Sequence, residues 1–170
     1  MDKSQFVETF GAIYEHSPWV AETVWNRGKP QDLTTRAVLQ DAMREVVDQA
    51  DDAAKLALIR EHPDLADPAA RSGQLSDMSN REQKNAGLTS TSADEAKRFE
   101  ELNNAYKAKF GFPFVIAVKG LNRQDILTAF EKRLENERTE EFSHALEQIH
   151  RIAGFRLAEI FSTHTDLPAS

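Results

Sequence analysis

"FGFPFVIAVKG", residues 110–120, decides what kind of fold this chain can adopt. The sequence on either side of it reads with a helical period. This stretch is apolar, β-branched, bounded by glycines and interrupted by Pro113, so it reads as extended backbone near 112–118. No second strand is available to pair with it, which removes a sheet from consideration. Its N–H and C=O groups still require partners. Either side chains cap it as a buried connector, or a ligand takes up some of its amides.

Outward from this segment the pattern is helical. "STSADEAKRFEELNNAYKAKFG" opens with Ser92 and Glu95 in capping-box spacing and closes on Gly111. Downstream, helices are expected over roughly 123–137 and 139–162. In the last of these, Phe142, Leu146, Ile149, Ala153, Leu157 and Ile160 fall on one apolar face. Upstream, Phe6, Phe10, Ile13 and Tyr14 predict an amphipathic helix over residues 2–15. Ser17 and Pro18 then suit the start of a second helix, with Gly28 as its stop. Val38, Ala42, Met43, Val46 and Val47 make a stripe between Thr35 and Gln49, and residues 52–61 form a short helix ended by Pro63. The expectation is an all-α fold, a single compact multi-helix domain spanning 1–170, with about eight helices and one short extended segment.

Composition narrows the function. The chain has 170 residues, 40% hydrophobic and 29% charged, the balance of a globular protein with a core of its own. A formal net charge of −7 with scattered basic residues argues against nucleic acid and anionic membranes as partners. There is no cysteine, which excludes disulfides, thiolate nucleophiles and cysteine-ligated metals. No apolar run is long enough to cross a bilayer and no basic-then-apolar leader is visible, so the expected compartment is the cytoplasm. His144 and His150 lie six apart and do not share a helix face as paired metal ligands would, so no metal site is expected.

Three places can carry chemistry. In "EHPDLA", residues 61–66, His62 stands where a helix ends before Pro63. It is either a cation at a helix C-terminus or a proton-transfer group beside a pocket. In "SNREQKNAGL", residues 79–88, Ser79 and Glu82 match a capping box. Glu82 can alternatively hold an imidazole in one tautomer. Arg156 projects onto the apolar face of the last helix, where a guanidinium needs an acid or a ligand anion.

Together, "HPDLA", the Ser79-to-Leu88 motif, "FGFPFVIAVKG" and the arginine of "IAGFRLAEI", with "EHSPWVAE" near the start, resemble one family. It is that of the OHCU decarboxylases, which act on 2-oxo-4-hydroxy-4-carboxy-5-ureidoimidazoline in urate breakdown. The resemblance runs from Phe6 to about Ile160; Gly154-Phe155 departs from the more helix-favouring residues expected before the arginine. It implies an all-α homodimer without a cofactor that converts OHCU to (S)-allantoin and CO2. His62 matches the family's proton donor, and Glu82 would orient it. Pro63, Ser79, Glu82, Gln83, Phe114, Val115, Ile116, Ala117, Val118 and Arg156 match substrate-contacting positions. Two other readings remain open from the residues alone: a helical adaptor without catalysis, and a different cofactor-free lyase or hydrolase acting on a related ureide.

Overall fold

The computed structural model describes residues 1–28, 35–67 and 75–164. Among these the chain forms eight α-helices and no strand: α1 Lys3–Phe10, α2 Trp19–Arg27, α3 Arg36–Asp48, α4 Asp52–Arg60, α5 Asp77–Asn85, α6 Ala93–Phe110, α7 Arg123–Leu134 and α8 Arg138–Thr163. The all-α expectation and its extended segment near 112–118 are both observed. The chain gathers into two compact units, Met1–Glu61 with His150–Ser170, and His62–Ile149.

In the first unit, side-chain caps set the starts of α1, α3 and α4. Asp2 accepts from the Gln5 amide at 2.9 Å and the Gln5 carboxamide bonds back to Asp2 at 2.8 Å, a closed capping box. The first helix is shorter than its periodicity suggests. It stops at Gly11, where a Cβ would lie 2.5 Å from the Val7 carbonyl oxygen. Ile13 and Tyr14 are nonetheless buried, on the turn that follows. Ser17 does not cap α2; its hydroxyl donates to the Glu15 carbonyl at 2.8 Å. Thr35 caps α3, and the core stripe there is Leu39, Met43, Val46 and Val47, while Val38 is 44% exposed. Val38, in the first turn, gives its inward place to Leu39, while Met43, Val46 and Val47 are buried as the periodicity expects.

The second unit is organised around α6. Ser92 and Glu95 form the expected capping box, and the helix closes on Gly111 in the left-handed region at φ 79°. The backbone bond from Ser92 is the main reason the Glu95 carboxyl is held below its usual range. Phe99, Leu102, Asn103, Tyr106 and Phe110 face inward at helical spacing. Tyr106 meets Phe110, Phe112, Phe114 and Phe130 at centroid distances of 4.5, 6.0, 5.4 and 5.8 Å. Phe114 stacks on Phe130 at 3.8 Å, and the Arg133 guanidinium lies 4.4 Å from the Phe114 ring centroid.

The extended segment is buried except at Ile116, which is half-buried. Side chains supply part of what a partner strand would have supplied. Arg133 donates to the Val115 carbonyl at 2.7 Å, Gln148 accepts from the Ala117 amide at 2.9 Å, and Arg138 donates to the Phe110 carbonyl at 3.1 Å. Arg133 is held in turn by Glu141, whose fully buried carboxylate accepts from Arg133 at 2.8 Å, Tyr106 at 2.6 Å and Asn136 at 3.0 Å.

Burial, then its bond to Glu141, pushes the Tyr106 hydroxyl well above the usual tyrosine range, and burial does the same to Tyr14. A raised folded-state pKa contributes stability that is fully present below the unfolded value and lost as pH rises past it. Unfolding free energy should therefore fall above roughly pH 10. Tyr106→Phe should lose about 1.5–3 kcal/mol at neutral pH, the worth of a hydrogen bond to a charged group. It should also flatten the alkaline decline. Denaturant unfolding of wild type and variant at pH 7 and pH 10.5 checks both.

Candidate active site

α4 ends at Arg60 with Glu61 as its C-cap, and Pro63 disfavours helical geometry at the residue before it. That residue is His62, 8% exposed and the first of the second unit. Beyond it the chain dips inward: Pro63 and Asp64 are half-buried, Leu65 and Ala66 buried. Ala66 has φ 56°, the left-handed region that a residue with a Cβ enters only at a cost.

A buried loop must find hydrogen-bond partners, and two helices provide them. Gln83 of α5 accepts from the Ala66 amide at 3.0 Å and donates to the Asp64 carbonyl at 3.4 Å. Asn103 of α6 donates to the Leu65 carbonyl at 2.9 Å. One turn further along α6, Lys107 pairs with the Asp64 carboxylate. The same loop borders a cavity of about 630 Å³ on its α6 side, lined by Asp64, Ala66, Asp67, Asn103 and Lys107 among others; His62, Ser79, Glu82 and Gln83 are not among its lining residues.

α5 starts one turn earlier than the 79–88 motif suggests. Ser76 is its N-cap and accepts from the Ser79 amide at 3.1 Å, so Ser79 sits inside the helix and forms no capping box with Glu82. The capping potential of Ser79 was real, but Ser76 stands three residues ahead of it and takes the role. The result serves a site better than a cap would. Ser79, Glu82 and Gln83 share one face of the helix, with Ser79 and Gln83 buried and Glu82 half-buried. Gln83 is engaged by the loop backbone at both ends of its carboxamide. The Phe114 ring is enclosed by Phe130 and Arg133.

Arg156 belongs to the first unit and is 2% exposed. It donates to Glu15 at 2.9 Å and to the carbonyls of Ala12 and Ile13 at 3.3 and 3.4 Å. The acid that a buried arginine demands is thus Glu15, which sequence reading did not single out. Glu15 stands at the head of "EHSPWVAE", and that position was the available signal. Gly154, the departure noted before this arginine, has a reason of its own, since a Cβ there would meet the Gln40 carboxamide nitrogen at 2.9 Å. His150, dismissed as a metal ligand, bonds the Tyr14 hydroxyl at 2.8 Å and Asp48 at 3.1 Å. Among the described residues no group of three or more histidine, aspartate and glutamate side chains is placed to hold a metal ion.

The family model described as OHCU decarboxylase matches residues 1–158. The chain belongs to that family. It is 41% identical over 163 residues to the 2-oxo-4-hydroxy-4-carboxy-5-ureidoimidazoline decarboxylase of Haloferax volcanii, covering 96% of this chain and 93% of that one. Its structure superposes on the crystal structure of (S)-allantoin synthase with a TM-score of 0.76 and 31% identity, over 94% of this chain and 51% of that chain. On an OHCU decarboxylase crystallised in the presence of (S)-allantoin the TM-score is 0.68 at 26% identity, over 85% of this chain and 91% of the other.

Breaking a buried ion pair leaves a charge without compensation, a loss of about 3–5 kcal/mol. Glu15→Gln in this OHCU decarboxylase family member should lower the unfolding free energy by that order. Arg156→Lys, which keeps the charge but not the planar fork, should cost less. Guanidinium melts of the two variants give the comparison.

Proposed function

We propose that this protein decarboxylates OHCU to (S)-allantoin and CO2 without a cofactor, with His62 delivering the stereospecific proton and Glu82 orienting it. The observation that carries this reading is the family match over residues 1–158, which takes in every candidate residue from His62 to Arg156.

The chemistry asks little beyond these groups. Loss of CO2 from the tetrahedral carbon leaves an electron pair, which the adjacent unsaturated ring can take up. A pyridoxal or thiamine sink is unnecessary. The product carbon must then be protonated from one face, which water would do without preference. A buried histidine beside the site is a suitable donor because its ordinary pKa lies near neutrality. An adjacent carboxylate favours the imidazolium and fixes the ring's orientation. The half-buried Glu82, on the same helix face as Ser79 and Gln83, suits that role. Backbone groups of 114–118 other than those held by Arg133 and Gln148 are the proposed contacts for the ureido arm and ring amides. Apolar surroundings favour departure of neutral CO2 from a carboxylate. Arg156 enters this reading through the sequence resemblance alone.

General acid–base catalysis is typically worth about 10²–10⁴-fold, and His62→Asn should lose a factor of that order in kcat. Glu82→Gln should lose less, and its rate-versus-pH profile should move to lower pH, because without the carboxylate the imidazolium gives up its proton more readily. Kinetics of both variants across pH, with the handedness of the allantoin formed, test the assignment. A folded His62→Asn protein that makes (S)-allantoin at the wild-type rate would remove His62 from the chemistry. Dialysis against EDTA should leave activity intact; loss restored by a divalent ion would contradict the cofactor-free reading.

A further inference from the structure

The loop that follows His62 is held more firmly than a surface connection needs. Four consecutive residues, Pro63 to Ala66, are half-buried or buried, and Ala66 is kept in a left-handed conformation. Besides Gln83, two side chains of α6 reach it: Asn103 through the Leu65 carbonyl and Lys107 through the Asp64 carboxylate. Asn103 is 4% exposed, and its side-chain oxygen has no hydrogen-bond partner among the described residues. Burying an unsatisfied amide oxygen is unfavourable, and an apolar side chain of similar size would avoid it. What the asparagine supplies in return is one donor, and that donor goes to the loop backbone three residues from His62.

We propose that Asn103, supported by Lys107, is a positioning residue of the reaction: it fixes the 63–66 loop and thereby the place and orientation of the His62 imidazole. The inference rests on His62 being the proton donor. It gives the strained Ala66 a purpose, since a loop with a left-handed alanine relaxes unless its neighbours hold it. It also separates the roles of two faces of the loop, with the histidine serving the reaction and the carbonyls of Asp64 and Leu65 serving the anchor.

A misplaced donor has two signatures. The rate falls, and the released intermediate lives long enough for water to protonate it from either face. Asn103→Leu preserves bulk and removes the donor, so kcat should fall by about 10–100-fold, as a displacement near 1 Å can cause. KM should change far less. The enantiomeric excess of allantoin should drop even with enzyme raised until turnover outpaces the uncatalysed reaction. A merely structural asparagine would lower the melting temperature without touching the enantiomeric excess per turnover. Lys107→Met, a change at a largely exposed position, should show the same two effects at a few-fold level, and it serves if Asn103→Leu does not fold. Wild-type kcat and full enantiomeric excess in a folded Asn103→Leu protein, or in Lys107→Met where only that variant folds, would overturn the proposal. His62→Asn measured alongside separates the two ideas. If it retains rate and handedness, the reading of His62 fails and the anchor's role fails with it; if it is inactive while the anchor variants are normal, only the anchor fails.

Discussion

The carboxylate of Glu141 is the constraint on which the second unit depends. It is fully buried, and a bare buried carboxylate would be prohibitively unfavourable. Three donors answer it, from Tyr106 on α6, Arg133 on α7 and Asn136 in the turn that follows. Arg133 then passes the constraint on. Its other bond goes to the Val115 carbonyl and its guanidinium covers the Phe114 ring, so one charge fixes both the backbone and a side chain of the extended segment. One terminal nitrogen of Arg133 has no hydrogen-bond acceptor among the described residues; the π-face of Phe114 offers it partial compensation. This network explains how an apolar extended segment is buried among helices with no sheet to join.

The helices were legible because their signals are local. Capping boxes, terminal glycines and three-to-four periodicity act within a single turn, and Ser92 to Gly111 bears them out in full. The misreadings arose where two local signals competed. Ser76 takes the cap that Ser79 could have provided, Gly11 ends a helix whose apolar period continues to Tyr14, and Leu39 takes the buried place assigned to Val38. In each case the choice depends on what the residue meets in three dimensions.

The candidate site was legible in a different way. Arg156 drew attention as a charge on an apolar face, and His62 and Glu82 as groups at helix ends that could serve either as caps or as chemistry, while their assignment to a reaction came from resemblance. The partners were not legible. Glu15 lies 141 positions from Arg156 and Asn103 lies 38 positions from Leu65, separations at which sequence spacing carries no geometric information. Nor did the sequence distinguish the two uses of Gln83, a loop anchor in the structure and a substrate contact in the resemblance. Both α5 and α6 thus contribute inward-facing amides whose work is to hold backbone; Asn103 at least interrupts an apolar stripe, whereas Gln83 lies on a polar helix and carries no such sign.

The central claim is that a protein built from these elements performs decarboxylation and directs the proton to one face. Freshly generated OHCU mixed with the purified protein, followed by circular dichroism as allantoin accumulates, tests it directly. Rapid growth of the (S)-allantoin signal, with one CO2 released per molecule formed and a rate proportional to protein concentration, is expected. Racemic allantoin appearing at the rate seen without protein would contradict it.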